Sequence, residues 1–336
     1  MSAYPQVRAN PLTGDRVIVA PARAERPQSE RPAAGSHELP ERDPDCPFCP
    51  GNELETPREI LRIPESEEGD WRVRVVLNKY PVLEEDAGEE VVSVGPGRQV
   101  EAALGRHEVV IEARAHDRTF TGLADDELLD VLRAYRSRYA AAAADARIRH
   151  VVIFRNQGEL ANATIEHPHS QLAAMAFVPP ALTGRIDRAR AYLEAHGRSL
   201  LEGIVEQELG DGSRVVASSD SFVTFVPFAP THDGELWIAP RQAPPRLDAA
   251  EDAMLLEFGR ALRRAVSAME RAFDGPDYNL VVQSAPLIEG AEAALPWYGQ
   301  LVPRRTLTAG FELGVGVHIL VATPEETARA LREAAP

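Results

Sequence analysis

Residues 151–158, VVIFRNQG, lead through a loop to 167–179, HPHSQLAAMAFVP, and residues 280–286, LVVQSAP, lead to 296–304, PWYGQLVPR. Both passages read the same way: a buried strand, a loop, then a closing strand. A long amphipathic helix precedes each. Over 123–146, Leu128, Val131, Leu132, Tyr135 and Tyr139 recur at helical spacing, and Asp125 and Asp126 suit the positive end of its dipole. Before the second passage, Leu255, Phe258, Leu262, Val266, Met269 and Phe273 form an apolar stripe, and Asp248 with Glu251 reads as a capping box. Strand-like runs come before each helix, at 71–77, 91–94 and 107–112, and again at 214–217, 222–228 and 235–239. The order of elements repeats although the residues scarcely do. The expectation is an α+β fold of two tandem units, 1–180 and 181–336, each an antiparallel sheet with helices against it. A single helix is expected over 186–209, and residues 21–50, rich in Pro, Arg and Glu, read as a surface loop.

Bulk composition narrows the function. The 336 residues carry a formal net charge of -16, which argues against a broad nucleic-acid surface and requires any anionic substrate to find a local basic pocket. No apolar run is long enough to span a bilayer, and the N-terminus lacks a signal-peptide pattern, so the expected location is cytoplasmic. The only cysteines, Cys46 and Cys49, stand in Cys-Pro-Phe-Cys, and a structural disulfide does not fit that compartment. Their spacing lets two thiolates reach one zinc ion, with His116 and His167 as candidate partners. A redox pair shares that spacing, and so does a site that stays without metal.

His167-Pro168-His169-Ser170-Gln171 enters a strand. Alternation puts His167, His169 and Gln171 on one face, and Pro168 holds the residue before it extended. A neutral imidazole so presented can attack phosphorus and form a covalent intermediate. A backbone carbonyl can fix its tautomer, and Gln171 can donate to a phosphoryl oxygen. Ser170, Asn156, Gly158 and Thr164 can supply further hydrogen bonds.

In order along the chain, Asp45-Cys46-Pro47-Phe48-Cys49-Pro50-Gly51-Asn52, Asn78-Lys79-Tyr80-Pro81, Phe154-Arg155-Asn156-Gln157-Gly158 and the His-Pro-His-Ser-Gln segment resemble the galactose-1-phosphate uridylyltransferase family of the histidine-triad superfamily. Weaker marks are Arg23, Arg26-Pro27 and Ala309-Gly310-Phe311-Glu312-Leu313. The resemblance implies two tandem histidine-triad-like units and one structural zinc on Cys46, Cys49, His116 and His167. It implies that His169 attacks the α-phosphorus of UDP-glucose, expels glucose-1-phosphate, and then passes the uridylyl group to galactose-1-phosphate. The His167 carbonyl would orient the nucleophile, and Gln171 would bind the transferred group with Asn156 and Thr164. Arg23, Arg26, Asn78 and Lys79 would hold the nucleotide, while Glu312 and His318 would stand on the sugar side. The resemblance also implies a homodimer whose second half completes the partner's site.

The chain departs from the family pattern on the acceptor side. Pro296, Trp297 and Tyr298 replace the His-Trp-His of the second half, so no second metal site is expected. Asn162 takes a glycine position, and His318 stands where some members carry glutamine. Competing expectations are an ADP-sugar phosphorylase or another nucleotidyltransferase of the superfamily, including one of specialised metabolism. A nucleotide hydrolase and a non-catalytic zinc-stabilised binding protein are the others.

Overall fold

The computed structural model describes residues 4–25, 39–64, 71–88, 90–242, 246–305 and 308–335. Arg26 and His37 lie outside them, as does part of the expected 21–50 loop. In chain order the strands are β1 (Gln6–Ala9), β2 (Arg16–Val19), β3 (Glu59–Ile63), β4 (Val73–Leu77), β5 (Val91–Gly95), β6 (Arg98–Glu101), β7 (Gly105–Ile111), β8 (His150–Gln157), β9 (His169–Met175), β10 (Val215–Ser218), β11 (Phe222–Phe225), β12 (Leu236–Pro240), β13 (Tyr278–Gln283), β14 (Tyr298–Pro303) and β15 (His318–Leu320). The helices are α1 (Asp125–Ala143), α2 (Pro180–His196), α3 (Leu200–Asp211), α4 (Asp252–Ala272), α5 (Ala291–Ala294), α6 (Gly310–Val315) and α7 (Pro324–Ala334). None of the helices among the described residues is long and apolar enough to cross a membrane.

Ten strands make one sheet in the order β10-β11-β12-β14-β13-β8-β9-β7-β4-β3. Read outward from the β13–β8 seam, the two halves have one topology. Three strands meander inward from the edge, a helix crosses, and a hairpin slots in beside the third strand. The seam is antiparallel, pairing Tyr278 with Gln157 and Asn279 with Asn156. β5 and β6 form a separate ribbon, and β15 joins the β1–β2 hairpin in parallel.

One sheet face is buried under α1, α4 and α7. Val151, Ile153, Leu172, Leu280 and Leu301 meet Leu128, Leu132, Leu255, Phe258, Leu262 and Leu331 there in the main core. The other face is covered differently in each half. In the second half α2 and α3 lie over Val223, Phe225, Trp237, Ala239 and Tyr298. In the first half the turn carrying Cys46, Phe48 and Cys49 packs on Val76, Val109 and Ile111 with Trp71.

Two helix expectations need correction. The helix expected over 186–209 is two helices, because α2 closes at Gly197 and Ser199 caps α3, accepting from Glu202 N at 3.2 Å. Asp248 and Glu251 make no capping box. Asp248 accepts from Arg246 Nε at 3.0 Å, and α4 starts at Asp252 with Glu251 as its N-cap.

Candidate active site and metal centre

β9 and β7 run antiparallel with Ile111 opposite His169 and Val109 opposite Gln171. That register brings His116, just beyond β7, towards His167, just before β9. The turn between Asp43 and Asn52 then closes over both. Ligand atoms of Cys46, Cys49, His116 and His167 all lie within 4.8 Å of one another, and all four side chains are buried. Cys49 Sγ is 3.5 Å from His116 Nδ1 and 3.6 Å from His167 Nδ1. The Ala113 carbonyl accepts from His167 Nε2 at 2.8 Å, which leaves Nδ1 bare and aimed at the cluster. Burial pushes the Cys46 thiol up to about 11, so a thiolate there calls for a cation beside it. The donor set therefore fits a tetrahedral metal ion.

His169 sits one strand step beyond that cluster. Its Nδ1 is 2.8 Å from the His167 carbonyl oxygen. A carbonyl only accepts, so Nδ1 carries the proton and Nε2 carries the lone pair. The Phe48 ring packs edge-on against the imidazole, with centroids 5.3 Å apart, and ties the cysteine turn to it. His169 is 8% exposed and lines a cleft of about 140 Å³ with Asn156, Gln157, Gly158, Glu159 and Ile165. Burial, with a smaller contribution from the Arg155 cation, pushes its pKa down to about 4, so the ring is neutral near pH 7. Arg155 itself lies on the helix side of β8, ion-paired with Glu112.

The loop after β8 is shaped by Asp277. Its carboxylate accepts from Leu160 N at 2.6 Å. A Cβ at Gly158 would lie 1.9 Å from Asp277 Oδ1, and Gly158 has φ +86°, so only glycine fits there. Asn156 Oδ1 accepts from Asn279 Nδ2 at 2.9 Å. Gln171 Oε1 lies 2.8 Å from His107 Nε2 and 3.4 Å from Asn78 Nδ2.

The remaining expected residues are scattered. Arg23 is exposed in a short 3-10 turn, Lys79 is exposed with Nζ 3.4 Å from the Glu55 carbonyl, and Thr164 is exposed in the loop before His167. Ser170 is buried and alternates to the helix face of β9, beside Tyr135. Glu312 caps α6, accepting from Ala309 N at 3.1 Å. His318 is on β15, with its ring 5.5 Å from that of His232. Neither Glu312 nor His318 is among the described residues lining the His169 cleft. Asn279 and His107 were not among the expected site residues, and Phe48 was expected only as part of the Asp45–Asn52 motif. His107 left a signal of position: with Val109 and Ile111 it occupies alternate positions on β7, which pairs with the strand carrying His169.

In the second half, Tyr298 takes the place of His169 and Gln300 that of Gln171, as the matching registers show. Tyr298 is buried beneath the α2–α3 layer.

Residues 1–179 match the family described as galactose-1-phosphate uridyl transferase, N-terminal domain. ADP-glucose phosphorylase of Arabidopsis thaliana is 31% identical over 334 residues, covering 98% of this chain and 93% of that protein. Galactose-1-phosphate uridylyltransferase of Haemophilus influenzae is 27% identical over 286 residues, 84% of this chain and 79% of that one. The crystal structure of the Arabidopsis ADP-glucose phosphorylase with bound ADP-glucose superposes with a TM-score of 0.85 at 29% identity, covering 99% of both chains.

Proposed function

The chain belongs to the galactose-1-phosphate uridylyltransferase family, and on that premise we propose that it transfers a nucleotidyl group by double displacement at His169. The observation that carries this is the His167 carbonyl pinning Nδ1, which leaves the Nε2 lone pair on a neutral, buried ring. In the first step Nε2 bonds to the α-phosphorus of a nucleotide sugar. The bond from that phosphorus to the sugar-phosphate oxygen breaks, and hexose-1-phosphate leaves. In the second step a phosphate oxygen of the acceptor attacks the same phosphorus and frees His169. The amides of Gln171 and Asn156 donate to the charge developing on the phosphoryl oxygens.

ADP-glucose as donor and inorganic phosphate as acceptor are supported by the full-length likeness to ADP-glucose phosphorylase. The uridylyl reading, UDP-glucose with galactose-1-phosphate, is supported by the family match and the Haemophilus relative. We assign Cys46, Cys49, His116 and His167 to zinc, which would hold the His167 backbone, and with it the carbonyl that orients His169. We read 1–180 as the catalytic unit and 181–336 as its degenerate counterpart. A homodimer would bring Glu312 and His318 of one chain to the other's cleft.

Intact-mass spectrometry after mixing the protein with ADP-glucose or UDP-glucose, without acceptor, tests the proposal. The expected result is an AMP adduct with ADP-glucose, discharged as ADP when phosphate is added, and no adduct in His169→Gln. A UMP adduct discharged by galactose-1-phosphate selects the uridylyl reading. Turnover without an adduct, or an adduct retained in His169→Gln, sinks both.

A further inference from the structure

Both carboxamides beside His169 are held by their oxygens, and each hold traces back to a backbone group that can act in only one sense. Val82 N–H can only donate, and it points at His107 Nδ1 from 3.2 Å. Nδ1 is therefore the bare nitrogen, and Nε2 carries the proton that faces Gln171 Oε1 at 2.8 Å. Asn78 reaches the same oxygen. Tyr80 N–H donates to Asn78 Oδ1 at 2.8 Å, which leaves Nδ2 to approach Gln171 Oε1 at 3.4 Å. Across the seam, the Ala161 carbonyl can only accept, and it takes Asn279 Nδ2 at 3.0 Å. The other proton of that nitrogen goes to Asn156 Oδ1 at 2.9 Å. Gln171 and Asn156 thus each keep an NH2 group for an anion, with no oxygen turned towards it.

The second half of the molecule shows the opposite arrangement. Glu235 stands where His107 stands, two residues before the partner of the strand glutamine. A carboxylate only accepts, so Gln300 donates Nε2 to Glu235 Oε1 at 2.8 Å, and its own oxygen takes Gln283 Nε2 at 2.8 Å. With glutamate in place of histidine the amide is held by its nitrogen.

We propose that His107 and Asn279 are positioning residues that lock the Gln171 and Asn156 amides with their N–H ends towards the phosphorus attacked by His169. The inference rests on the nucleotidyltransferase reading above. An amide turned the other way would set a carbonyl lone pair against a phosphoryl oxygen, and the donor would be lost in the transition state, where it is worth most. Burial holds the His107 imidazole below its ordinary range, in keeping with a neutral ring of one tautomer. Asn279 belongs to β13, so the second half of the chain fixes one donor of the first half's site.

The test is single-turnover adduct formation from ADP-glucose and from UDP-glucose, followed by mass in whichever labels the wild-type chain. His107→Phe and Asn279→Leu should each slow the step about tenfold at saturating donor, with half-saturation within about twofold, short of the roughly 10²–10³ lost when a donor is deleted outright. Repeated in Gln171→Ala and Asn156→Ala respectively, the same changes should cost nothing further. His107→Gln can still donate and should recover most of the rate, whereas His107→Glu should not. Equal losses in both backgrounds, or unchanged rates, overturn the inference while leaving the adduct, and so the function, in place. No adduct in the wild-type chain overturns the function and the inference with it. A measurement independent of any variant's folding is ¹⁵N NMR of histidine-labelled wild-type protein. It should find His107 bare at Nδ1 and protonated at Nε2, and the other tautomer or an imidazolium ends the argument.

Discussion

Burial keeps the imidazole of His169 neutral, and the same physics acts on His150, which is not among the described residues lining the His169 cleft. His150 is 4% exposed, and burial, only partly offset by a hydrogen bond with the Ala285 backbone, pushes its pKa down to about 4 from 6.5. Above pH 6.5 the ring is neutral whether the chain is folded or not. As the pH falls from 6.5 towards 4, only the unfolded chain takes the proton, so folding stability drains away across that window. A shift of this size corresponds to about 3 kcal/mol at most. His150→Leu should therefore show a smaller drop in urea midpoint between about pH 7 and pH 4.5 than the wild-type chain. Parallel pH dependences for the two proteins would show that His150 carries none of it. At this scale much of the site was legible in the sequence. Cys46, Cys49, His116 and His167 converge, a set whose cysteines stood out by their spacing and whose histidines were candidates that the family resemblance singled out, and Pro168 between two histidines marked the segment that enters β9. What decides amide orientation was not legible, because His107 and Asn279 act through neighbours on adjacent strands, far away along the chain.

Elements with strong internal periodicity were legible; those made by pairing alone were not. The stripes of α1 and α4 read directly as core faces, and the two helices cross where Gly259 meets α1. A Cβ at Gly259 would lie 2.8 Å from Leu128 Cδ2 and from Leu132 Cδ1. Those atoms are packed core side chains with little room to yield, so Gly259→Val should destabilise by about 1–3 kcal/mol through overpacking. Combining it with Leu128→Ala should cost less than the sum of the single changes, since the second makes room for the first. Urea unfolding of the four proteins gives the coupling, and strict additivity would mean that the helices do not touch at this point. By contrast β1, β2 and β15 carried no readable pattern. Each is three or four residues long, and β15 pairs with β2 through His318 and Val17, at opposite ends of the sequence. The break between α2 and α3 was hidden because both helices bury the same kind of apolar face, and only Gly197-Arg198-Ser199 marks where one stops.

Across the whole molecule, one topology used twice gives two faces with opposite fates. The repeated order of elements was visible in the sequence, but the joining of the two halves across β8 and β13 was not, since no local pattern encodes which edges meet. The first half leaves the sheet face around His169 to a small cleft under the Cys46–Cys49 turn. The second half closes the equivalent face with α2 and α3, and Tyr298 lies beneath them, 1% exposed, against Trp237 at a ring distance of 4.9 Å. The missing histidines at 296 and 298 are therefore not the whole difference between the two halves at this position. No cysteine turn stands over it, the glutamine that would donate is tied up by Glu235 and Gln283, and a nucleotide sugar could reach Tyr298 only by displacing two helices from a core that includes Leu182, Ile186, Leu201 and Val205. Placing histidine at both positions, Pro296→His with Tyr298→His, should leave adduct stoichiometry at one nucleotide per chain, all of it on His169, by peptide mapping of the labelled protein. A second labelled peptide containing residue 298 would show that the α2–α3 layer opens, and that the residues of the site, rather than the packing above it, decide which half of the chain works.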